Sequence, residues 1–68
     1  MNQEGNTPLH IASNLGMVDL VDQLLLSNVD PNTWNKVGET PLHLGAKCNN
    51  FDVCLLLLEK GANPHYWW

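Results

Sequence analysis

The apolar positions of this chain gather into short clusters separated by polar, turn-forming stretches. After Pro8 come Leu9, Ala12 and Leu15, three apart, which is the spacing of one face of a short helix. A second cluster, Val18, Val21, Leu24 and Leu25, predicts a helix from Val18 to about Ser27. A third helix starts after Pro41, and Phe51, Cys54, Leu57 and Leu58 form the matching face of a fourth. The boundaries are marked chemically. Thr7-Pro8 and Thr40-Pro41 are helix starts, because a threonine hydroxyl accepts from an unpaired helical amide and proline fits the first helical position. Asp19 and Asp52 lie in the first turns of the second and fourth helices, where a carboxylate favours the positive end of the helix dipole. Gly16, Asn28 and Gly61 stand where helices should end.

The clusters are two copies of one unit. Gly5-Asn6-Thr7-Pro8-Leu9-His10-Ile11-Ala12 recurs as Gly38-Glu39-Thr40-Pro41-Leu42-His43-Leu44-Gly45, an offset of 40 − 7 = 33 residues. A period of this length means a small supersecondary unit that buries its apolar face only against a twin. Asn49 stands at the position equivalent to Gly16 (16 + 33 = 49), and asparagine tolerates the left-handed backbone that glycine takes at a helix end. Between the units, residues 29–38 are rich in turn formers, and Pro31 argues against a helix there. This stretch reads as an extended, hairpin-like projection. Residues 62–68 repeat its beginning without a third helix pair. The organisation expected is a single all-α domain or fragment over 1–68, with one repeat at 2–34 and a second at 35–68 whose final hairpin is truncated.

Period, helix pair, projecting loop and Thr-Pro-Leu-His motif together resemble the ankyrin repeat, over essentially the whole chain. Asp30-Pro31-Asn32, Gly61-Ala62-Asn63-Pro64 and the leucine-rich second helices are further marks of the resemblance. It implies an all-α solenoid whose inner helices and hairpin tips form a concave surface that binds other proteins, without chemistry of its own. Gln23, at a usually apolar position, and Leu26 and Leu55, at usually polar ones, depart from the pattern, as does Gly45 in place of alanine. Neither end carries the polar outer face of a capping repeat, which is expected of a piece of a longer array.

Bulk properties narrow the function. With three lysines, no arginine, seven acids and a net charge of −4, the chain lacks the basic surface that nucleic acid requires. Acidic lipid surfaces are disfavoured for the same reason. The apolar run from Val53 to Leu58 is too short to span a bilayer, and the opening residues predict no secretory leader. Two cysteines, Cys48 and Cys54, in one repeat make no disulfide framework. An intracellular location, cytoplasmic or nuclear, follows as the expectation.

The candidate chemistry is thin. His10 and His43 are separated by the repeat period, not by a ligand or catalytic spacing. The resemblance implies that each bonds to the threonine three residues before it and to the backbone of the adjoining repeat, making Thr7, Pro8, Leu9, His10, Thr40, Pro41, Leu42 and His43 a structural motif. Cys48, Cys54, His43 and His65 match no zinc-ligand spacing. Cys54 aligns with the core position Val21, as a small apolar filler. No catalytic residue, metal or cofactor is expected.

Trp34 and Trp67 fall at one repeat position near the tip of the projection. Tryptophan is enriched at interface hot spots because one rigid side chain buries a large area. Packing on its own hairpin, or on a neighbouring repeat, is the other reading of Trp34. The positions that fit partners in the family, carried over to this chain, are Gln3, Glu4, Asn6, Asn14 and Leu15 in the first unit. In the second they are Trp34, Lys36, Val37, Glu39, Lys47 and Cys48. Leu24, Asp30 and Asn32 also match the pattern around a hydroxylated hairpin asparagine in some ankyrin repeats, which makes Asn32 a possible modification site. Besides a protein-binding scaffold, the sequence is compatible with an internal structural segment of a longer array, or with the regulatory repeats of a larger enzyme or channel.

Overall fold

The computed structural model describes residues 3–63. Trp67, Trp68 and His65, and the outer limits of both repeats, lie outside the described residues. Among the described residues four helices follow one another: α1 (Pro8–Leu15), α2 (Val18–Leu26), α3 (Pro41–Lys47) and α4 (Phe51–Glu59). Each consecutive pair is an antiparallel hairpin, and the pairs stack with α1 against α3 on the inner side and α2 against α4 on the outer.

The helix ends form as the sequence dictates. Thr7 and Thr40 hold extended backbone, and each hydroxyl accepts the amide of the histidine three residues on, at 3.3 and 3.4 Å. The histidine returns the bond by accepting the threonine amide at Nδ1, at 3.1 Å from His10 and 3.2 Å from His43. This is a capping box with imidazole in place of the usual carboxylate or amide at its third helical position. Gly16 ends α1 at φ 73°, and Asn49 takes the same left-handed conformation at φ 60°. Asn28 does likewise after α2. The projection between repeats contains turns but no strand among the described residues, and the amide of Asn35 donates to the carbonyl of Glu39 at 2.9 Å to close its tip.

Leu9, Ala12, Val21, Leu42, Val53, Cys54 and Leu57 are fully buried and form the core between the helix pairs. The outer-helix faces differ from the expected ones at two places. Phe51 is 57% exposed, and Val53 takes its place in the core. Val18 likewise lies at the surface, while Leu24 and Leu25 pack against the core edge. Helix α4 is apolar on nearly every side, so several stripes satisfy its periodicity and only packing against α2 and α3 selects one. Gly45 has a packing role: a Cβ there would meet the Cys54 sulfur at 3.1 Å. The Cys54 sulfur, at the position of Val21 in the first repeat, thus lies where an alanine at 45 would crowd it.

Candidate protein-binding surface

The tip of the projection is built around Asn35, whose side chain is almost completely buried. Its Oδ1 accepts the amides of Val37 at 3.1 Å and Glu39 at 2.8 Å, folding residues 35–39 into a tight loop. Its Nδ2 donates to Asn6 Oδ1 at 2.8 Å and to Glu39 Oε1 at 3.2 Å. The Lys36 amide donates to the carbonyl of Glu4 at 2.7 Å. Gly5 permits this approach, since its φ is +73° and a Cβ would press on the Lys36 side chain at 2.9 Å. The tip is thereby held against the turn that opens the first repeat.

On this base the predicted binding residues are displayed unevenly. Val37 is 63% exposed at the tip and Trp34 50% exposed beside it. The indole lies against the His43 imidazole, with ring centroids 6.1 Å apart and planes at 44°. Trp34 is therefore partly packed against His43 and half presented to solvent. Lys36 is exposed, and Glu39 is half-buried beneath it.

A second group lies at the ends of the inner helices. Lys47 Nζ stands 3.5 Å from Glu39 Oε2, an exposed pair that orients more than it stabilises. The Cys48 thiol donates to Asn14 Oδ1 at 2.9 Å across the repeat boundary. Leu15 is 64% exposed next to Asn14 in sequence. Contacts thus join Glu39 with Lys47, and Cys48 with Asn14, while Trp34, Val37 and Leu15 stand out as separate apolar projections. The patch combines an aromatic, two aliphatics and both signs of charge.

His10 is fully buried and committed to the fold. Because Nδ1 accepts from the Thr7 amide, the imidazole proton sits on Nε2, which donates to the Glu39 carbonyl at 2.8 Å. Among the described residues no three His, Cys, Asp or Glu side chains are placed to hold a metal ion. Both thiols are free, Cys48 exposed and Cys54 buried. Burial raises the Cys54 pKa above its ordinary value of 9.0, because a thiolate there would lose its hydration. No helix among the described residues is long and apolar enough to cross a membrane.

Several residues that fix this surface are asparagines, and no motif in the sequence marks the bonds that Asn35, Asn50 and Asn32 make. Asn50 precedes α4, yet its Nδ2 donates to the carbonyls of Ser13 at 2.9 Å and Asn14 at 3.0 Å, in the last turn of α1. The last carbonyls of a helix have no i+4 donor within it; Ser13 has only the Gly16 amide at 3.4 Å, and the second repeat supplies a further donor. Asn32 accepts the Asn63 amide at 2.8 Å and donates to the Gly61 carbonyl at 3.3 Å. Both ends of its amide therefore bridge the two repeats. Its own amide closes a turn on Asp30 Oδ1 at 2.9 Å. One signal was available: polar residues at loop positions flanking a repeat boundary must satisfy backbone groups that stacking buries.

Four helices in two stacked hairpins, a bridging histidine cap and a projecting loop define an α-helical repeat solenoid. The chain belongs to the ankyrin-repeat family: the family model described as ankyrin repeats (3 copies) matches residues 1–66. The described residues hold two helix pairs, fewer than the three copies of that model. Ankyrin repeats are in general protein–protein interaction modules. No curated protein matches the chain.

Proposed function

We propose that this chain is a scaffold unit that binds a partner protein through the projecting tip and the adjoining inner-helix ends, and carries out no chemistry itself. The observation that supports this most is the pairing of exposure with rigidity around Asn35. Trp34 and Val37 offer apolar area, while the backbone beneath them is fixed by the Asn35 side chain and by the Lys36–Glu4 bond. A surface already ordered before binding loses little conformational entropy in the complex. Trp34 is the anchor, with Lys36, Glu39 and Lys47 as a charged rim and Leu15, Asn14 and Cys48 extending the contact along the inner helices. Two free thiols suit a reducing compartment, which favours an intracellular partner.

A photo-crosslinking amino acid placed at Val37 tests this reading against the same probe at Gln23, exposed on the outer helix. The expected result is a discrete adduct from position 37 in extracts of the source cell and none from position 23. Equal labelling from both positions, or a discrete adduct from position 23 alone, would reject the tip as the binding surface.

A further inference from the structure

Residues 33 positions apart occupy equivalent places in the two repeats, so a difference in their exposure reports what covers one and not the other. Ile11 is 37% exposed and its equivalent Leu44 only 6%. Leu20 is 39% exposed and its equivalent Val53 0%. Leu24 is half-buried where Leu57 is fully buried. The opposite holds on the other side of the unit: His10 and Ser13 are fully buried, whereas His43 and Ala46 are only half-buried. The first set of positions faces the preceding repeat, and the second set faces the following one. Ile11, Leu20 and Leu24 therefore make an uncharged aliphatic end face that reproduces, position by position, the face the first repeat covers on the second.

We propose that this end face docks on the second-repeat end of another copy of the same chain, head to tail, in the register of the internal interface. The occupant follows from continuity with that interface: the covering surface Ile11, Leu20 and Leu24 require is the one that already covers Leu44, Val53 and Leu57. At one place the outgoing face of the second repeat is the less polar of the two, while Lys47 stands where the first repeat has Asn14. Ser13, in the internal interface, buries a hydroxyl with no hydrogen-bond partner, and Ala46 at the equivalent place has none to bury. Three internal bridges would be missing, the first being that of Asn32, whose equivalent position holds His65. Met17 stands where Asn50 reaches the α1 carbonyls, and Leu15 stands where Cys48 meets Asn14. The contact between copies is therefore weaker than the one within the chain, and reversible. Because it joins unlike faces, each added copy leaves a free face at either end of the stack, so association grows stepwise with concentration.

Sedimentation velocity over a wide concentration range, with circular dichroism on the same samples, tests this on the 68-residue chain. The sedimentation coefficient should rise progressively with concentration. Ile11→Glu, which charges one face, and Ala46→Glu, which charges the other, should each leave a helical monomer. An equimolar mixture of the two variants should recover a dimer and nothing larger, since each contributes one intact face. Where Ile11→Glu loses helix signal, Leu20→Gln takes its place. A chain that stays monomeric throughout overturns the proposal and leaves the face to a further repeat or a different protein. Association that survives Ala46→Glu also overturns it, because the contact would then join two like faces.

Discussion

The imidazole of His10 in the first repeat donates to the carbonyl oxygen of Glu39 in the second, 2.8 Å away. The same ring caps its own helix through Thr7 at 3.1 Å, so one side chain ties helix start to repeat interface. Glu39 in turn lies in the loop that carries Val37. Repeat stacking and the presentation of the tip are thereby mechanically linked.

His10→Ala should lower the unfolding free energy by about 2–3 kcal/mol, since it empties a fully buried site, takes one of two donors from the Glu39 carbonyl and leaves a helix-start amide without its partner. His43→Ala should cost less, because its imidazole is only half-buried. Urea titrations of both variants measure the difference as a shift in midpoint at unchanged slope. Equal losses would mean that the cap, and not the bridge to Glu39, carries the effect.

Asn35 and Glu39 should be energetically coupled. Asn35→Asp keeps the acceptor for the two loop amides but sets a carboxylate where Nδ2 now lies 3.2 Å from Glu39 Oε1. Its destabilisation should be relieved by Glu39→Gln, with a coupling of about 1 kcal/mol in a double-mutant cycle. Additive effects would contradict the role given to Asn35 at the tip.

The two thiols should separate by reactivity. Iodoacetamide should modify Cys48 in the native protein and Cys54 only on unfolding, which mass spectrometry of the digested protein distinguishes. The raised pKa of Cys54 also fixes a sign. The folded state holds that proton more tightly than the unfolded chain, so the contribution is full below about pH 9.0, the unfolded value. It is lost as pH rises through the higher folded value. Replacement by alanine should flatten this alkaline decline, and an unchanged decline would assign it to other groups.

Much of the fold is legible in the sequence because the repeat is punctuated by residues with one physical use each. Thr7-Pro8 and Thr40-Pro41 start helices, and Gly16 and Asn49 end them in the left-handed conformation. On α4 Cys54 and Leu57 were legible as core, but the start of its buried face was not, since a helix that is apolar all round offers Phe51 and Val53 equal claims until its neighbours are in place. The binding positions could be named from the family pattern, but not the way they are held. Asn50 and Asn32 act on backbone groups about 30 or more residues away, and Asn35 reaches the Asn6 side chain across the same repeat boundary; amide side chains carry no periodic signal that announces such partners.

Trp34 is where the functional reading is most exposed to test. With the protein captured through Val37 as titrant, calorimetry on the wild type and on Trp34→Ala compares affinities, and urea unfolding compares the folds. The account predicts a loss of about 1–3 kcal/mol in binding, with the unfolding midpoint little changed because half of the indole is already in solvent. Undiminished affinity with an intact fold would contradict it, and would make Trp34 a packing residue of the hairpin against His43.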